Sequence, residues 1–377
     1  MKSIYLDYAA ATPLDPKVLA AMEPFFAEQF YNPSAGYLAA KAVATAREEA
    51  RARVAHWFGS RPTEIIFTSG GTEANNLAIN GVMGQFPGKK VLVSSIEHES
   101  VLAPARQYDC AEILVSPDGI VDLKKLSNMI DDDTVLVSIM YANNEIGTVQ
   151  PIKEIAAIIR GVRKQRGPKG LSLYLHTDAC QAPAYLDIHA SRLGADMITI
   201  NAGKIYGPKQ SGALFVKINT QLQPQILGGG QERNMRSGTE SVANIAGLAT
   251  ALDLVQERRH QESKRVQVLR DGFIRELQKA IPDIIINGSL KHRLPNNVHV
   301  TIPGQDNERL LMALDEQGIM AAAGSACSAS KEESSHVLKA IGKTDAEAYA
   351  SLRFSLGKST SAAELKRVVK TIADLIA

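Results

Sequence analysis

The sequence predicts an α/β protein in which helices cover both faces of a mostly parallel sheet, with a second, smaller α+β unit. Short apolar or β-branched runs alternate with stretches of helical periodicity, and this alternation is typical of parallel sheets. A chain of 377 residues also exceeds the usual size of a single hydrophobic core, so two domains are expected. Ligands of such sheets bind at the carboxyl ends of the strands, where the motifs described below occur.

The strands of the sheet are predicted from six runs of apolar or β-branched residues. Each run is short, and most are separated by stretches with helical periodicity such as residues 152–165. The six runs cover residues 64–68, 91–95, 134–141, 171–178, 196–200 and 213–217.

The C-terminal part of the chain is predicted to form the smaller unit. Residues 241–281 contain no proline, and much of this run has helical periodicity, so it is predicted to lead out of the larger domain. The unit that follows is predicted to contain strands near 297–302 and 319–323. Its final helix begins with a capping box formed by Ser361 and Glu364.

Composition and charge argue against several classes of protein. A formal net charge of +2 gives no reason to expect nucleic acid as a partner, and no apolar run approaches membrane-spanning length. Asp7 interrupts the region where a signal peptide would need its apolar stretch. Cys110, Cys180 and Cys327 are too few and too scattered for a disulfide framework, and the eight histidines show no paired metal spacing. A reducing cytoplasm is therefore expected.

An aspartate and a lysine each follow a predicted strand of the sheet. Asp178 ends the run 171–178, and Lys204 lies in a glycine-flanked turn after the run 196–200. This pair suits a pyridoxal-phosphate enzyme, in which a lysine forms the Schiff base and a carboxylate keeps the pyridine nitrogen protonated. An ordinary aspartate and lysine at the strand ends of an α/β domain would give the same local pattern.

A glycine-rich turn after the first predicted strand is a candidate phosphate site. Gly70 and Gly71 would let the backbone approach an anion, and a helix entered at Thr72 would offer free N–H groups and a hydroxyl. The Walker lysine is missing, so a P-loop is not expected. The alternative is a tight strand–helix turn capped by Thr72.

Cys327 is a candidate nucleophile. It lies in a run from Gly324 to Ser335 that holds small and polar residues with almost nothing to bury, so exposure is expected. A thiol there is poorly placed for core packing, although a lone exposed cysteine is often incidental. Cys110 and Cys180 sit in or beside apolar runs and are expected to be buried and inert.

Taken together, these motifs carry a family resemblance. The chain resembles the cysteine desulfurases of the NifS/IscS group, within the class V aminotransferase superfamily. The resemblance extends from residues 5–16 to residues 352–360, which is nearly the whole chain, and so many motifs in one order are highly specific. The motifs are TSGGTEANNLAI, SSIEHESVL, SIMYANNEIGTVQP, HTDACQ, KIYGPK, GGGQERNMRSGTES and GSACS.

The resemblance implies a fold-type I pyridoxal-phosphate-dependent transferase with a mostly parallel seven-stranded sheet flanked by helices in its large domain. That domain is expected at residues 15–255. A smaller α+β domain, which carries the catalytic-cysteine loop, is expected at residues 1–14 and 256–377. The implied reaction converts L-cysteine to L-alanine and leaves a persulfide on the enzyme. A homodimer is implied, with a protein sulfur acceptor such as an iron–sulfur scaffold or a tRNA-thiolation enzyme.

The resemblance also assigns roles to individual residues. Lys204 matches the Schiff-base lysine, and Asp178 matches the partner of the pyridine nitrogen. Cys327 matches the nucleophile, and Arg353 matches the arginine that pairs with the substrate carboxylate. His98 matches the imidazole stacked on the cofactor ring, which is also a proton-transfer candidate. The remaining contacts would come from Gly71 and Thr72 in the phosphate cup, Gln181 and Asn144 near the phenolic oxygen, Asn144 again at the substrate, and Thr239 of the other subunit.

Two positions depart from the pattern of the family. The family reads Ser-Gly-His-Lys at the Schiff-base turn, where this chain has Asn-Ala-Gly-Lys at 201–204. The family Ser and His both help hold the phosphate. Asn201 can still donate a hydrogen bond but Gly203 has no side chain, which predicts weaker phosphate anchoring or a substitute from another residue. Tyr37 stands where the family has a histidine near the mouth of the active site.

Several alternatives stay open from the sequence alone. Arg353 could form a structural salt bridge, His98 could cap a helix, and Asn143 could take the role of Asn144. The alternative activities are those of a selenocysteine lyase and of a related class V transaminase. A third hypothesis is a non-catalytic fold that acts as a partner in sulfur transfer. Retention of the lysine, aspartate, histidine, arginine and cysteine together argues against that third hypothesis.

Overall fold

The computed structural model describes residues 3–324 and 334–377 and has the α/β architecture that the sequence predicts. Its strands are β1 (Ile4–Tyr5), β2 (Ile65–Thr68), β3 (Lys90–Ser94), β4 (Asp109–Ile113), β5 (Thr134–Ser138), β6 (Tyr174–Asp178), β7 (Met197–Asn201), β8 (Gly212–Val216), β9 (Ile285–Ile286), β10 (Asn297–Thr301), β11 (Ile319–Met320) and β12 (Ser351–Ser355). Its helices are α1 (Pro16–Met22), α2 (Pro24–Ala27), α3 (Leu38–Phe58), α4 (Gly71–Gln85), α5 (Glu99–Ala105), α6 (Leu123–Met129), α7 (Ile152–Arg166), α8 (Ala190–Leu193), α9 (Val242–Ala280), α10 (Asn307–Glu316), α11 (His336–Ala340), α12 (Asp345–Tyr349) and α13 (Ala362–Ile376).

The largest sheet has seven strands in the order β2-β8-β7-β6-β5-β3-β4. β8 is antiparallel to both of its neighbours, and the other six strands run in one direction. The predicted mostly parallel seven-stranded sheet is therefore confirmed, and all six predicted runs form strands in it. Because parallel strands end at one edge of a sheet, the residues that follow β2, β5, β6 and β7 collect there.

The seventh strand, β4, has no counterpart among the predicted runs. It lies at the edge of the sheet and pairs with β3 alone. Asp109 and Glu112 are exposed on it, whereas every residue of the central strand β5 is buried. An edge strand buries less apolar surface than a central one, so its sequence carries little of the apolar signal that predicts a strand.

The apolar core lies on both faces of this sheet. Val91 and Val93 of β3 pack into one cluster together with residues of α4 and α5. Leu92, between them, packs into the other cluster with residues of α3, α7 and α9. Alternate side chains of a strand point to opposite faces, so β3 is apolar on both sides, as expected for a parallel sheet covered by helices.

The C-terminal part contains a three-stranded antiparallel sheet in the order β12-β10-β9. The predicted long helix is α9, which has 39 residues. The predicted strand near 319–323 is limited to the two residues of β11. The capping box of α13 forms as predicted between Ser361 and Glu364. The buried face of α13 consists of Leu365, Val368, Val369 and Ile372.

The N-terminal strand is hydrogen-bonded to the C-terminal part of the chain. β1 pairs in parallel with β11, and the amide of Ala9 donates to Ser355 Oγ at 2.8 Å. α9 continues without a break through residue 255. The division of the chain into residues 15–255 and residues 1–14 with 256–377 stays a prediction.

Across residues 3–324 and 334–377, no helix combines the length and the apolar character that crossing a membrane requires. Those residues also contain no group of three or more His, Cys, Asp or Glu side chains placed to hold a metal ion.

Candidate active site

A cavity opens at the carboxyl edge of the large sheet, and most of the predicted site residues border it. Its walls are the ends of β6 and β7, the start of α4 and the N-terminal segment at Ala9 and Ala10. The predicted residues that line it are Gly71, Thr72, His98, Asn144, Asp178, Gln181, Asn201, Lys204 and Arg353.

Thr239 and Tyr37 do not line the described part of this cavity. Thr239 is exposed and borders a separate depression at the end of β2. Its segment is anchored beside the cavity, because Arg236 donates to Glu73 Oε1 in the first turn of α4 at 2.9 Å. Tyr37 is exposed just before α3. Cys327 lies outside the described residues, so its predicted role stays a prediction.

Asp178 is the last residue of β6 and is held in one orientation by two donors. Its side chain is only 6% exposed. The amide of Cys180 donates to Oδ1 at 2.9 Å, and Asn75 Nδ2 donates to Oδ2 at 2.7 Å. A buried carboxylate needs such donors, and each oxygen can accept a further hydrogen bond from a ligand. The carboxylate is therefore fixed at the cavity in a form that can accept from a protonated ring nitrogen.

The N-terminal segment fixes the turn that carries Lys204. Both the amide and the hydroxyl of Thr12 donate to the carbonyl of Gly203, each at 3.1 Å. Lys204 Nζ donates to the carbonyl of Ala10 at 2.6 Å, and Gln181 Nε2 donates to the carbonyl of Ala9 at 3.0 Å. The Lys204 amine and the Gln181 carboxamide are thus both oriented by backbone carbonyls of the N-terminal segment.

The start of α4 is built to approach an anion. Gly70 is the N-cap residue and makes no side-chain cap, so the alternative in which Thr72 caps the helix is wrong. A Cβ on Gly71 would lie 2.6 Å from Cys180 Sγ and 3.5 Å from Asn201 Nδ2, so a larger residue would fill this corner. The first helical amides have no partner within the helix, and Gly71, Thr72 and Asn201 all line the cavity.

His98 caps a helix, which was one alternative from the sequence, and it also lies at the cavity, so its predicted contact with the cofactor ring stays a prediction. It is the N-cap residue of α5, and its Nδ1 accepts from the amide of Ser100 at 3.1 Å. The same ring lines the cavity. The hydroxyl of Ser100 is a second neighbour of Nδ1, at 2.8 Å, and Asn75 Nδ2 donates to that hydroxyl at 2.8 Å.

Arg353 of β12 forms the structural salt bridge that was one alternative from the sequence, and it also lines the cavity, so its predicted contact with the substrate carboxylate stays a prediction. Its side chain is 1% exposed, and Nη2 forms an ion pair with Asp7 Oδ1 at 2.7 Å. Nη1 donates to the carbonyl of Asn144 at 3.2 Å. Nε is buried and has no acceptor among the described residues, and Arg353 as a whole lines the cavity. A buried guanidinium nitrogen without an acceptor leaves one donor for a bound carboxylate.

The structure separates the two adjacent asparagines. Asn143 Oδ1 accepts from the amides of Glu145 and Ile146, both at 2.9 Å, and its Nδ2 donates to the carbonyl of Ile96. Asn143 is therefore a buried turn residue whose side chain is fully used by the backbone. Asn144 is the one that lines the cavity, so the two do not exchange positions.

The two described cysteines have unreactive thiols. Burial raises the pKa of the Cys180 thiol well above its usual range, and the Asp178 carboxylate raises that pKa further. Burial raises the pKa of the Cys110 thiol to about 11. Since the thiolate is the nucleophilic form, both raised pKa values agree with the predicted inertness. The predicted burial is only partial, because both side chains are half-buried and Cys180 lines the cavity.

Two residues at the cavity were missed by the sequence analysis. Asn75 lies one turn into α4 and Ser100 lies two residues after His98. The partners of Asn75 lie on other elements of the fold, and Ser100 combines a partner on α4 with His98 two residues before it, so neither residue forms a sequence pattern with a chemical meaning. The only available signal was their position inside motifs that had already been singled out.

Glu97 is a fully buried acid next to the site. Its Oε1 accepts from the Ser94 hydroxyl and from the amide of Met140, while Oε2 has no partner among the described residues. Burial raises the pKa of Glu97 to about 8. The folded chain therefore holds this proton at neutral pH, whereas the unfolded chain releases it near 4.5.

Replacement of Glu97 by glutamine is expected to remove a loss of stability at rising pH. Between pH 4.5 and about 8 the folded state binds more protons here than the unfolded state, so stability falls as pH rises. The slope is at most about 1.4 kcal/mol per pH unit. The free energy of unfolding of Glu97→Gln, measured with urea, should therefore rise relative to that of wild type between pH 5.5 and pH 8. Glu276→Gln, at an exposed position of α9, is the control, and parallel pH trends in wild type and Glu97→Gln would contradict the expectation.

Comparison with known proteins identifies the family. A family model described as aminotransferase class-V matches residues 4–368. A protein of Dictyoglomus turgidum named cysteine desulfurase IscS is 41% identical over 100% of this chain and 95% of its own length. A protein of Archaeoglobus fulgidus named cysteine desulfurase IscS 1 is 40% identical over 99% of this chain and 96% of its own length.

Solved structures agree with this assignment. A structure titled NifS-like protein superposes with a TM-score of 0.92 at 30% identity and covers 99% of each chain. A structure titled SspA in complex with cysteine has a TM-score of 0.80 at 32% identity, covering 94% of this chain and 99% of its own. The family match over residues 4–368 and the full-length relatives lead to one conclusion. The chain belongs to the class-V aminotransferase family.

Proposed function

We propose that this chain is a pyridoxal-phosphate-dependent cysteine desulfurase, which converts L-cysteine to L-alanine and holds the sulfur as a persulfide on Cys327. One observation carries the proposal: the Lys204 amine, the Asp178 carboxylate and the start of α4 border one cavity. The full-length relatives named for this activity support the choice of substrate.

The residues at the cavity fit pyridoxal phosphate. The phosphate would fit the corner at Gly71, which a Cβ would fill. The backbone amide of Thr72 and the side-chain carboxamide of Asn201 would donate to it. Asp178 would accept from the pyridine nitrogen, and Lys204 would attach the cofactor through its amine. The other contacts would be those of His98 with the ring face and of Asn144 and Gln181 with the phenolic oxygen. When bound, the cofactor supplies an electron sink for the substrate α-carbon.

The chain's own residues account for the remaining chemistry. Arg353 would bind the substrate carboxylate with the guanidinium nitrogen that lacks an acceptor. Lys204 Nζ, once free, would move the α-proton. The Cys327 thiolate would attack the substrate sulfur, so an S–S bond forms while the Cβ–S bond breaks. The carbon that loses sulfur then takes up a proton, and alanine leaves.

The activity is tested by alanine formation from L-cysteine with added pyridoxal phosphate and a thiol reductant. Alanine together with released sulfide supports desulfuration. A strong preference for L-selenocysteine would indicate the lyase, and amino transfer to a keto acid without sulfide would indicate a transaminase. No product from any of these substrates, in protein that binds the cofactor, would favour a non-catalytic partner in sulfur transfer.

A homodimer and a protein sulfur acceptor complete the proposal. Thr239 is exposed on a segment anchored to α4, a position from which it could reach the phosphate site of a second copy. The acceptor would be an iron–sulfur scaffold or a tRNA-thiolation enzyme, and a cytoplasmic location follows from the scattered cysteines. Neither a nucleic acid nor a membrane is proposed as a direct partner.

The glycine at position 203 is expected to weaken phosphate anchoring. A Cβ there would lie 3.4 Å from Asn201 Oδ1 and 3.7 Å from Lys209 Cγ, so a side chain can be accommodated. Gly203→His should therefore bind pyridoxal phosphate more tightly, by up to about 10- to 100-fold, since one added hydrogen bond to a charged group contributes about 1.5–3 kcal/mol at most. Equilibrium titration measures this affinity. Pyridoxal, which lacks the phosphate, and Gly203→Ala, which lacks a donor, should show no gain. Equal affinity of wild type and Gly203→His for pyridoxal phosphate would contradict the idea.

A further inference from the structure

A chain of hydrogen bonds connects two of the predicted cofactor-facing groups. Asp178 Oδ2 accepts from Asn75 Nδ2 at 2.7 Å, and the same nitrogen lies 2.8 Å from Ser100 Oγ. Ser100 Oγ in turn lies 2.8 Å from His98 Nδ1. We call these four side chains the polar relay. It joins the end of β6 to the start of α5 through a residue of α4.

The direction of every bond in the polar relay follows from chemistry. The Asn75 amide nitrogen carries two hydrogens, and it gives one to the Asp178 carboxylate and one to Ser100 Oγ. The opposite amide orientation would put an oxygen against a carboxylate oxygen. Because Ser100 Oγ accepts from Asn75, its own hydrogen is available to His98 Nδ1.

The backbone supplies a second and longer hydrogen bond to the same nitrogen, which shares its one lone pair with the hydroxyl. The backbone amide of Ser100 donates to His98 Nδ1 at 3.1 Å, and a backbone N–H can only donate. Nδ1 therefore accepts from both the hydroxyl and the backbone amide of Ser100, and it carries no hydrogen when the ring is neutral. The hydrogen of the neutral ring must lie on Nε2, for which no protein partner is present among the described residues.

Three of the four side chains of the polar relay are buried and His98 is half-buried, which makes its geometry costly to change. Asn75 is 1% exposed and Ser100 is 8% exposed. Asn75 Oδ1 has no hydrogen-bond partner among the described residues. The side chain therefore donates both of its hydrogens within the relay while its acceptor oxygen stays unused. A buried unsatisfied oxygen costs about 1–3 kcal/mol, and a purely structural asparagine has little reason to adopt this arrangement.

We propose that Asn75 and Ser100 are positioning residues that hold His98 as the Nε2–H tautomer and tie its ring to the Asp178 carboxylate. His98 then meets the cofactor and substrate as a donor at Nε2, and it must release that proton before it can accept one there. This role deepens the proposed function and rests on it for its chemical meaning. The tautomer itself is a property of the protein and does not depend on which substrate is converted.

The tautomer is measured by nitrogen NMR of the holoprotein labelled with ¹⁵N-histidine. The signals of His98 are assigned by their loss in His98→Gln. Wild type should show the Nε2–H pattern at neutral ring charge. Ser100→Ala keeps only the longer backbone contact at 3.1 Å and loses the hydroxyl donor at 2.8 Å, so the Nδ1–H tautomer should become populated beside the Nε2–H tautomer. An Nδ1–H pattern in wild type, or a wild-type pattern in Ser100→Ala, would overturn the proposal.

A matched control is present next to the relay. Ser95 is a buried serine whose hydroxyl has no hydrogen-bond partner among the described residues, so Ser95→Ala should leave the His98 signals unchanged. If the desulfurase reaction is present, Ser100→Ala should lower kcat by up to about tenfold, the effect of one hydrogen bond, with KM for L-cysteine nearly unchanged. Failure of the desulfurase assay with an intact Nε2–H signal would count against the proposed function and leave the relay standing.

Discussion

Lys204→Ala is expected to lose the covalent attachment of pyridoxal phosphate and at least about 100-fold of the alanine-forming activity. The substitution removes the nitrogen that, in the proposed function, would both hold the cofactor and move the α-proton. In the structure this nitrogen donates to the carbonyl of Ala10, and Thr12 fixes the turn that carries it. No other amine lines the described part of the cavity, so no neighbour can replace it. Borohydride reduction followed by peptide mass measures the attachment, and alanine formation from L-cysteine measures the activity.

The neighbouring Lys209 gives a matched control for this experiment. It lies five positions further along the same segment, is exposed and does not line the cavity. Lys209→Ala should therefore keep both the reducible attachment and the activity. Lys204→Arg keeps the positive charge without an amine that can bond to the cofactor, so it should fail as Lys204→Ala does. A reducible attachment that survives in Lys204→Ala would show that the assignment of Lys204 is wrong.

Much of the fold could be predicted because its signal is local. Central strands such as β5 are buried along their whole length, so each appears in the sequence as a continuous apolar run. The edge strand β4 lacks that signal, since Asp109 and Glu112 face solvent. Its place in the sheet is set by pairing with β3, which residues 109–113 alone cannot indicate.

The site was only partly predictable, for a different physical reason. Motifs identify residues that touch a cofactor, but the residues that orient them act through contacts between distant segments. Asn75 meets Asp178 across 103 positions, and Ala10 meets Lys204 across 194 positions through a backbone carbonyl that any residue could supply. The sequence also could not choose between Asn143 and its neighbour. That choice depends on which side chain the backbone turn uses as an acceptor.

Cys327→Ser is expected to abolish alanine formation from L-cysteine while leaving cofactor binding intact. A serine hydroxyl stays protonated at neutral pH and cannot take the sulfur as a thiolate can. The described chain on either side of residues 325–333 is attached next to the cavity. Ala322 exchanges backbone hydrogen bonds with Arg353 at 3.1 and 2.6 Å, and Ser335 Oγ donates to Glu145 Oε2 at 2.6 Å. Arg353 lines the cavity, and Glu145 directly follows Asn144, which also lines it.

Cys110→Ser is the control that distinguishes the loss of the Cys327 nucleophile from a general effect of removing a thiol. Burial raises the pKa of Cys110 to about 11, so this residue holds almost no thiolate at neutral pH, and its variant should form alanine at the wild-type rate. Peptide mass after L-cysteine turnover should find one added sulfur atom on Cys327 and none on Cys110. Alanine formation by Cys327→Ser at the wild-type rate, with an unchanged cofactor spectrum, would exclude Cys327 as the sulfur acceptor. If Cys327→Ser binds L-cysteine but releases no alanine, its defect lies in the removal of sulfur. Every described residue of the cavity is unchanged in this variant, so substrate binding should be kept.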